Sequence, residues 1–189
     1  MNPTVPFTLA TSRLILRPLQ PTDLVAFSAC QGGPEEARYP SWESFFRTQA
    51  AEFLGQHGQT GVPAAPGTWA PIGIAGRRTN MLLGNCALQL YAHDPGTAEI
   101  GITLAPAVQG RGYAQEALHG LLHYCFAELK LQRVVAITDS LNLAAARLLE
   151  RVGMRQEVHL RKNTWLKGAW GDEYRYVLLF DEWDSWQLQ

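Results

Sequence analysis

The sequence has little cysteine and no spacing that suggests a metal site. Its three cysteines, Cys30, Cys86 and Cys125, are an odd number and lie far apart along the chain. Neither a C-x-x-C pair nor a cluster of cysteine and histidine occurs. These absences argue against a disulfide framework and against a zinc centre. We therefore expect a protein of the reducing cytoplasm that holds no metal.

The sequence also lacks a strong charge bias and a long apolar run. It carries 16 basic and 17 acidic residues, for a net charge of −1, whereas binding to a nucleic acid backbone requires a concentrated basic face. No apolar stretch approaches the roughly 20 residues of a membrane-spanning helix, and the first six residues lack the features of a signal peptide. We expect a soluble protein that binds neither nucleic acid nor membrane directly.

Length and composition fit one folded domain. With 189 residues, of which 47% are hydrophobic, the chain is long enough to bury about 70% of the surface of the unfolded chain. We expect a single domain over residues 1–189, with its core between about residues 9 and 180.

A strand, a glycine turn and an amphipathic helix are predicted in succession between residues 99 and 129. Residues 99–104 predict a strand, and after Gly112 the apolar period changes to about 3.6. A helix that begins directly after Gly110 and Gly112 leaves backbone N–H groups unpaired, and these attract anions such as phosphate or pyrophosphate. The predicted buried face of this helix consists of Ala114, Ala117, Leu118, Leu121, Leu122, Cys125 and Leu129.

The residues of this turn alone leave several interpretations open. A dinucleotide-binding fingerprint would need a third glycine where Gln115 stands. A Walker-type loop would need a following Gly-Lys-Ser/Thr, which is absent. A plain connection between strand and helix would use the glycines only for their backbone angles.

Two motifs in the usual order indicate a known family. Gln109-Gly-Arg-Gly-Tyr-Ala114 resembles the Q/R-x-x-G-x-A/G pyrophosphate loop of the GCN5-related N-acetyltransferases, the GNAT superfamily. Asn142-Leu-Ala-Ala145 with residues 148–154 resembles the family's second block, N-x-x-A/S…E-K/R-x-G-F/M. Residues 11–19 and 168–179 are similar to the RimJ/RimL-like branch, the ribosomal-protein alanine acetyltransferase type. The resemblance covers about residues 9–179.

Sequence patterns and the resemblance lead to the same fold class. The patterns predict a strand at 13–17, a helix capped by Thr22, a helix at 41–54, and a hairpin of residues 69–74 and 81–90. Pro71 should place the first hairpin strand near an edge or a bulge. The element order β-α-α-β-β-β-α-β-α-β-β gives a mixed α/β fold, and the resemblance implies a mostly antiparallel central sheet flanked by helices.

The resemblance implies an acetyl-CoA-dependent N-acetyltransferase, an acyltransferase that uses no metal. It would move an acetyl group to a primary amine, either a protein N-terminus or a small molecule, by direct attack on the thioester. A free alkyl amine has a pKa of about 10, so it must lose a proton before it attacks. Glu99 is expected to accept that proton. Its alternative roles are an exposed charge at the start of a strand or a partner for an arginine.

The resemblance also assigns the other site residues. Backbone groups of a splayed central strand would hold the pantetheine arm and the thioester carbonyl, and Asn142, counted with Glu99 as catalytic, would hydrogen-bond the same arm or cap a helix. Trp42 is the expected substrate-binding residue, with core packing as its alternative. Leu149 stands where a tyrosine often protonates the departing thiolate. The predicted cofactor-binding residues are Ile102, Thr103, Leu104, Gln109, Gly110, Arg111, Gly112, Tyr113, Ala114 and Asn142.

Other interpretations stay open. The alternative function is a non-catalytic acyl-CoA-binding sensor or interaction module, and a nucleotide-binding protein is a third. The glycine-rich stretch 55–67 is either a lid or a tolerated insertion. The tryptophans within residues 183–186 either join a homodimer or pack on the sheet.

Overall fold

The structure is a computed structural model that describes residues 7–31, 40–57, 61–166 and 168–187. Side chains are described for these residues except 31, 40–47, 57, 166, 186 and 187.

Within the described residues, eight strands form one sheet. In chain order they are β1 (Leu9–Ala10), β2 (Leu14–Arg17), β3 (Trp69–Gly76), β4 (Leu82–Leu90), β5 (Thr97–Leu104), β6 (Arg133–Asp139), β7 (Arg155–Leu166) and β8 (Ala169–Leu179). Their spatial order is β1-β2-β3-β4-β5-β6-β8-β7. Neighbouring strands are antiparallel except β5 and β6, which run parallel. The expected mixed, mostly antiparallel sheet is confirmed.

Five helices accompany the sheet in the described part of the chain. They are α1 (Leu24–Gln31), α2 (Pro40–His57), α3 (Tyr113–His123), α4 (Leu143–Arg151) and α5 (Phe180–Gln187), and a π-helical segment, Tyr124–Glu128, continues α3. The predicted element order is confirmed, with the short β1 and the final α5 added.

The cap of the first helical turn differs from the prediction. This turn begins at Pro21, so Gln20 rather than Thr22 occupies the N-cap position. Proline fits the first position of a helix because no N–H is needed there. The backbone N–H of Gln20 donates to the Asp23 carboxylate over 2.7 Å, which fixes the chain at the start of the helix.

The apolar side of α3 packs onto one face of the sheet, as its period predicted. Ala117, Leu118, Leu121, Leu122 and Cys125 are at most 1% exposed, and the other two predicted positions pack against the same core. Fully burying one leucine contributes about 1.5–3 kcal/mol. This side therefore holds α3, and the turn before it, firmly against the sheet.

α1 and α2 cover the opposite face. A Cβ at Gly73 would lie 3.1 Å from Leu19 and 3.0 Å from Leu82, and both leucines belong to a separate apolar cluster with Phe27 and Ala50. Since side chains alternate along a strand, the neighbours of Gly73 in β3 point to the α3 side instead. Helices thus flank both faces of the sheet.

Pro71 lies at a local edge, as expected. In the part of the chain that the structure describes, β2 pairs with β3 only from Gly73 to Gly76, so Pro71 faces a partner strand only on its β4 side. Its missing N–H costs no ladder bond on the unpaired side.

No helix in the described ranges is long and apolar enough to cross a membrane.

Candidate active site

The two parallel strands separate partway along their length. Residues 97–99 of β5 pair with residues 133–135 of β6, yet β5 continues to Leu104 and β6 to Asp139. Within the described chain, residues 100–104 pair only with β4, so alternate backbone groups on their other edge face a gap. Ile102, Thr103 and Leu104 lie along this gap, in the splay that was predicted for them.

Gln109 ties the end of β5 to the turn that follows it. Its side-chain Nε2 donates to the carbonyl oxygen of Leu104 over 3.0 Å. The amide group of Gln109 is therefore directed back to the strand, and the Leu104 carbonyl already has one donor. In this arrangement the Gln109 side chain positions the turn.

The two glycines of the turn are required by its backbone. Gly110 has φ +73° and Gly112 has φ +77°, a region that residues with a Cβ adopt only at a cost. A Cβ at Gly110 would meet no heavy atom within 4 Å, so this side of the turn is open. No side chain at this position therefore blocks the approach of an oxygen-rich ligand to the backbone.

The N-terminus of α3 points its first N–H groups out of the helix. Gly112 occupies the N-cap position and has no side chain with which to cap. The helical bonds begin with the Glu116 N–H, which donates to the Gly112 carbonyl over 3.1 Å. The N–H groups of Tyr113 and Ala114 precede that bond, so no helical carbonyl can accept from them. Together with the helix dipole they favour an anion.

An ion pair that the sequence did not indicate holds this turn. The Nε of Arg13 donates to Glu116 over 2.6 Å, and its Nη1 donates to the Arg111 carbonyl over 3.1 Å. The guanidinium carbon lies 4.6 Å from the centre of the Tyr113 ring. Arg13 therefore connects the start of β2 to both the turn and the first turn of α3.

Glu116 is the acceptor for four donors from residues 11–13, which lead into β2. They are the Thr11 hydroxyl at 2.6 Å, the Ser12 hydroxyl at 3.0 Å, and the backbone N–H and Nε of Arg13 at 2.7 and 2.6 Å. Burial alone would raise the pKa of Glu116, but these hydrogen bonds outweigh burial and lower the pKa to about 2. Glu116 thus stays charged at any physiological pH.

Asn142 is the N-cap of α4. Its Oδ1 accepts from the backbone N–H of Ala145 over 3.0 Å, and the residue is exposed. It follows the end of β6, so it stands at the same end of the gap as the glycine turn. The capping role proposed for Asn142 is confirmed. Its amide nitrogen is not used in that cap.

Glu99 lies at the inner end of the gap, in the last residue pair of β5 with β6. Its neighbour Ile100 is buried in the α3-side core, so Glu99 points to the opposite face. The hydroxyl of Tyr91 donates to Glu99 Oε2 over 2.9 Å. Burial raises the pKa of Tyr91, and the hydrogen bond to Glu99 raises it further against the nearby charges of Arg175 and Arg133. Tyr91 therefore remains a protonated donor.

The arginines near Glu99 are engaged by another carboxylate. Arg133 forms a short ion pair with Glu157, and Arg175 Nε lies 3.5 Å from the same carboxylate, without hydrogen-bond geometry. Among the described side chains, Glu99 has no ion-pair partner. The alternative role of Glu99 as an arginine partner is thus not seen here.

Two predicted features fall at or beyond the limit of the described residues. Trp42 belongs to α2, but its side chain is outside the described part, so its role stays a prediction. Of the stretch 55–67, the first three residues complete α2 and residues 58–60 are not described.

Among the described residues, no three His, Cys, Asp or Glu side chains are grouped to hold a metal ion.

Leu149 occupies the core. It is 4% exposed and packs with the residues between α3, α4 and the sheet. The position therefore supplies no proton donor to the gap.

The site as a whole combines three chemical capacities. The turn 109–112 and the start of α3 can hold an anion. The unpaired backbone edge of β5 can hydrogen-bond an extended ligand. Glu99, at the other end of the gap, can accept a proton from the sheet face opposite α3.

Comparison with known proteins agrees with this arrangement. The family model described as the acetyltransferase (GNAT) domain matches residues 13–155. The chain is 27% identical over 176 residues to the uncharacterized N-acetyltransferase YnaD of Bacillus subtilis. The matched region covers 93% of this chain and 99% of that protein. It is 30% identical over 180 residues to the uncharacterized N-acetyltransferase YoaA of the same organism, with 90% and 96% covered.

A solved structure shows the same fold. The acetyltransferase of the GNAT family from Bacillus anthracis superposes with a TM-score of 0.78 at 26% identity, over 93% of this chain and 99% of that one. The likeness therefore extends over nearly the whole of both chains.

Proposed function

The chain belongs to the GNAT acetyltransferase family and is an N-acetyltransferase, and from this we propose that it transfers the acetyl group of acetyl-CoA to a primary amine. The acceptor is a protein N-terminal amine or a small-molecule amine, and the amine attacks the thioester directly. We place the chain in the RimJ/RimL-like branch and in the cytoplasm. The sequence motifs support the branch, and the three cysteines, which are free and buried, fit a reducing cytoplasm.

One observation carries the proposal. The gap between β5 and β6 begins at Glu99 and ends beside the N-terminus of α3, which has no side-chain cap. Leu104 lies five positions beyond Glu99 along the extended strand, a distance of about 17 Å. The gap can therefore hold an extended arm with its phosphates at the glycine turn and its thioester near Glu99.

The residues of this chain fit the donor that the family uses. The open side of Gly110 admits the pyrophosphate, and the N–H groups of Tyr113 and Ala114 face it. The backbone of Ile102 and Thr103 supplies donors and acceptors to the arm. A backbone N–H in the gap also stabilises the charge that develops on the carbonyl oxygen during attack.

Glu99 is the proposed base that removes a proton from the acceptor amine. The ammonium form of the acceptor gives a proton to Glu99, directly or through one water, and the free amine then attacks. A bond forms between the amine nitrogen and the carbonyl carbon, the carbon–sulfur bond breaks, and coenzyme A departs as the thiolate. The nitrogen gives up its second proton, which the thiolate takes up, so the products are the amide and the free thiol, and Glu99 returns its proton to solvent. A thiol pKa of about 8.5 makes this a tolerable leaving group, so the buried Leu149 need not be an acid. The hydrogen bond from Tyr91 orients Glu99.

The experiment measures acetyl-CoA binding by calorimetry and thiol release over a panel of amines and peptides. We expect Glu99→Gln to keep acetyl-CoA affinity while kcat falls by about 10²–10⁴-fold. Glu173→Gln is the matched control, because Glu173 is a partly buried carboxylate of the same sheet that bonds only the Asn163 amide among the described side chains. A loss below tenfold in Glu99→Gln contradicts the proposed base.

The same experiment separates the alternative function. If the wild-type protein binds acetyl-CoA but releases no thiol with any amine, the non-catalytic acyl-CoA-binding module replaces the enzyme. If it binds NAD or ATP in preference to acetyl-CoA, the nucleotide-binding interpretation replaces both.

A further inference from the structure

A cavity of about 660 Å³ lies beside Arg13, the residue that also forms the ion pair with Glu116. Its walls come from the start of β2, from the turn between β3 and β4, and from the first residue of α3. The residues that matter here are Arg13, Arg77, Arg78, Thr79 and Tyr113. We call it the arginine cavity.

The arginine cavity carries an excess of positive charge. None of its lining residues is acidic. The charge of Arg13 is balanced by Glu116, but neither Arg77 nor Arg78 forms an ion pair with a carboxylate in the described part of the chain. Both are exposed. Two arginine charges are therefore available to a ligand.

The geometry of Arg77 is fixed by the segment that leads into β2. Its Nη1 donates to the Thr11 carbonyl over 2.8 Å, and its backbone N–H donates to the Arg13 carbonyl over 2.8 Å. Among the described residues no other hydrogen bond engages this guanidinium, so its remaining donors are available to a ligand in the cavity that Arg77 lines. An arginine held in this way loses little further freedom when it binds an oxyanion.

The arginine cavity and the glycine turn share a wall. Arg13 lines the cavity and also bonds the Arg111 carbonyl of the turn, and Tyr113 lines the cavity and begins α3. Arg13 Nη2 would lie 3.4 Å from a Cβ at Gly112. A ligand on the turn therefore has the cavity directly beside it.

We propose that the arginine cavity binds the 3′-phosphate of coenzyme A. This rests on the proposed function, which places the pyrophosphate on the glycine turn. In coenzyme A the 3′-phosphate is carried by the ribose whose 5′ oxygen bears that pyrophosphate, so the two groups are one sugar ring apart. A phosphate monoester carries a charge of about −1.5 to −2 at pH 7, and guanidinium groups match its oxygens in charge and geometry.

The test compares two donors that differ only in this phosphate. Calorimetry gives the Kd of acetyl-CoA and of acetyl-3′-dephospho-CoA for the wild-type protein, for Arg78→Gln, and for the double variant Arg77→Gln/Arg78→Gln. Arg161→Gln is the matched control, because Arg161 is an exposed arginine of β7, and β5, β6 and β8 separate that strand from the cavity. Thermal unfolding of each variant shows that it is folded.

The expected result is a loss of discrimination. Wild-type protein binds acetyl-CoA at least about tenfold more tightly than the dephospho form, as a charge-assisted contact implies. The ratio falls toward one in the double variant, partway in Arg78→Gln, and stays at the wild-type value in Arg161→Gln. The affinity for the dephospho form is the same in all four proteins.

Two results overturn the inference and leave the proposed function standing. One is equal wild-type affinity for both donors. The other is an unchanged ratio in the double variant. If neither donor binds the wild-type protein, the proposed function fails and this inference fails with it.

Discussion

The carboxylate of Glu116 gives a stability prediction whose size and pH dependence both follow from the structure. We expect Glu116→Gln to destabilise the protein at pH 7. The glutamine oxygen can still accept from the hydroxyls of Thr11 and Ser12, but the charge that Arg13 requires is lost.

The magnitude follows from the pKa. A decrease from 4.5 to about 2 corresponds to about 3 kcal/mol if the whole effect were expressed as stability. The side chain of Arg13 is 48% exposed, whereas that of Glu116 is 14% exposed, so solvent screens part of this interaction. We therefore expect a loss of about 1–2 kcal/mol in the free energy of unfolding.

The pH dependence has a definite sign. Because the pKa of Glu116 is lower in the folded state than in the unfolded state, its contribution is complete above about pH 4.5 and is lost as the pH falls toward 2. Urea unfolding of wild type and Glu116→Gln should differ by the full amount at pH 7. The difference should shrink to less than half at about pH 3.

Glu128→Gln is the matched control, since Glu128 is an exposed carboxylate in the same helical segment. It should stay within about 0.5 kcal/mol of the wild type. The reasoning is refuted if Glu116→Gln costs less than about 0.5 kcal/mol at pH 7, or if its cost is the same at pH 7 and pH 3.

Three further substitutions test other parts of the structure. Tyr91→Phe should lower kcat by about three- to tenfold, the worth of one hydrogen bond, with acetyl-CoA affinity unchanged in calorimetry; a larger effect on affinity than on kcat would contradict the positioning role toward Glu99. Gly110→Ala should cost about 1 kcal/mol of stability and weaken acetyl-CoA binding at least about tenfold; Gly168→Ala, at φ +82° and with equally open surroundings, should cost the same stability and leave binding intact. Leu118→Ala should cost about 2–5 kcal/mol in urea unfolding, because Leu118 is fully buried, and a cost under about 1 kcal/mol would contradict the packing described for α3.

The parts of the fold that sequence predicted are those with a local signal. The strand before the glycine turn and the buried side of α3 follow from the period of apolar residues, which is set within one or two turns of chain. The positive φ angles of Gly110 and Gly112 follow in the same way from residue type. Resemblance to the family, rather than periodicity, was the source of the expected splay and of the role proposed for Glu99.

The side-chain contacts that hold the site together have no local signal in the sequence. Glu116 and the backbone N–H of Arg13 are 103 residues apart in sequence, and nothing local to either residue indicates the other. Tyr91 reaches Glu99 only because the chain reverses between β4 and β5. The cap at Gln20 was missed because threonine is the commoner capping residue, which favoured Thr22. Proline is well suited to the first position of a helix, so the helical turn begins earlier in the chain, at Pro21.

The short pairing between β5 and β6 has a consequence for local opening of the sheet. In the described chain, three residue pairs between β5 and β6 join the strands β1–β5 to the strands β6, β8 and β7. The sheet therefore consists of two groups of strands, here called ribbons, and we call the three pairs between them the seam. Each ribbon is drawn from a continuous part of the chain, before residue 105 and after residue 132. Amide hydrogens of residues 100–104 that face the gap should exchange with solvent faster than those at the seam. Any ligand that bonds both ribbons should slow that exchange on the two sides together.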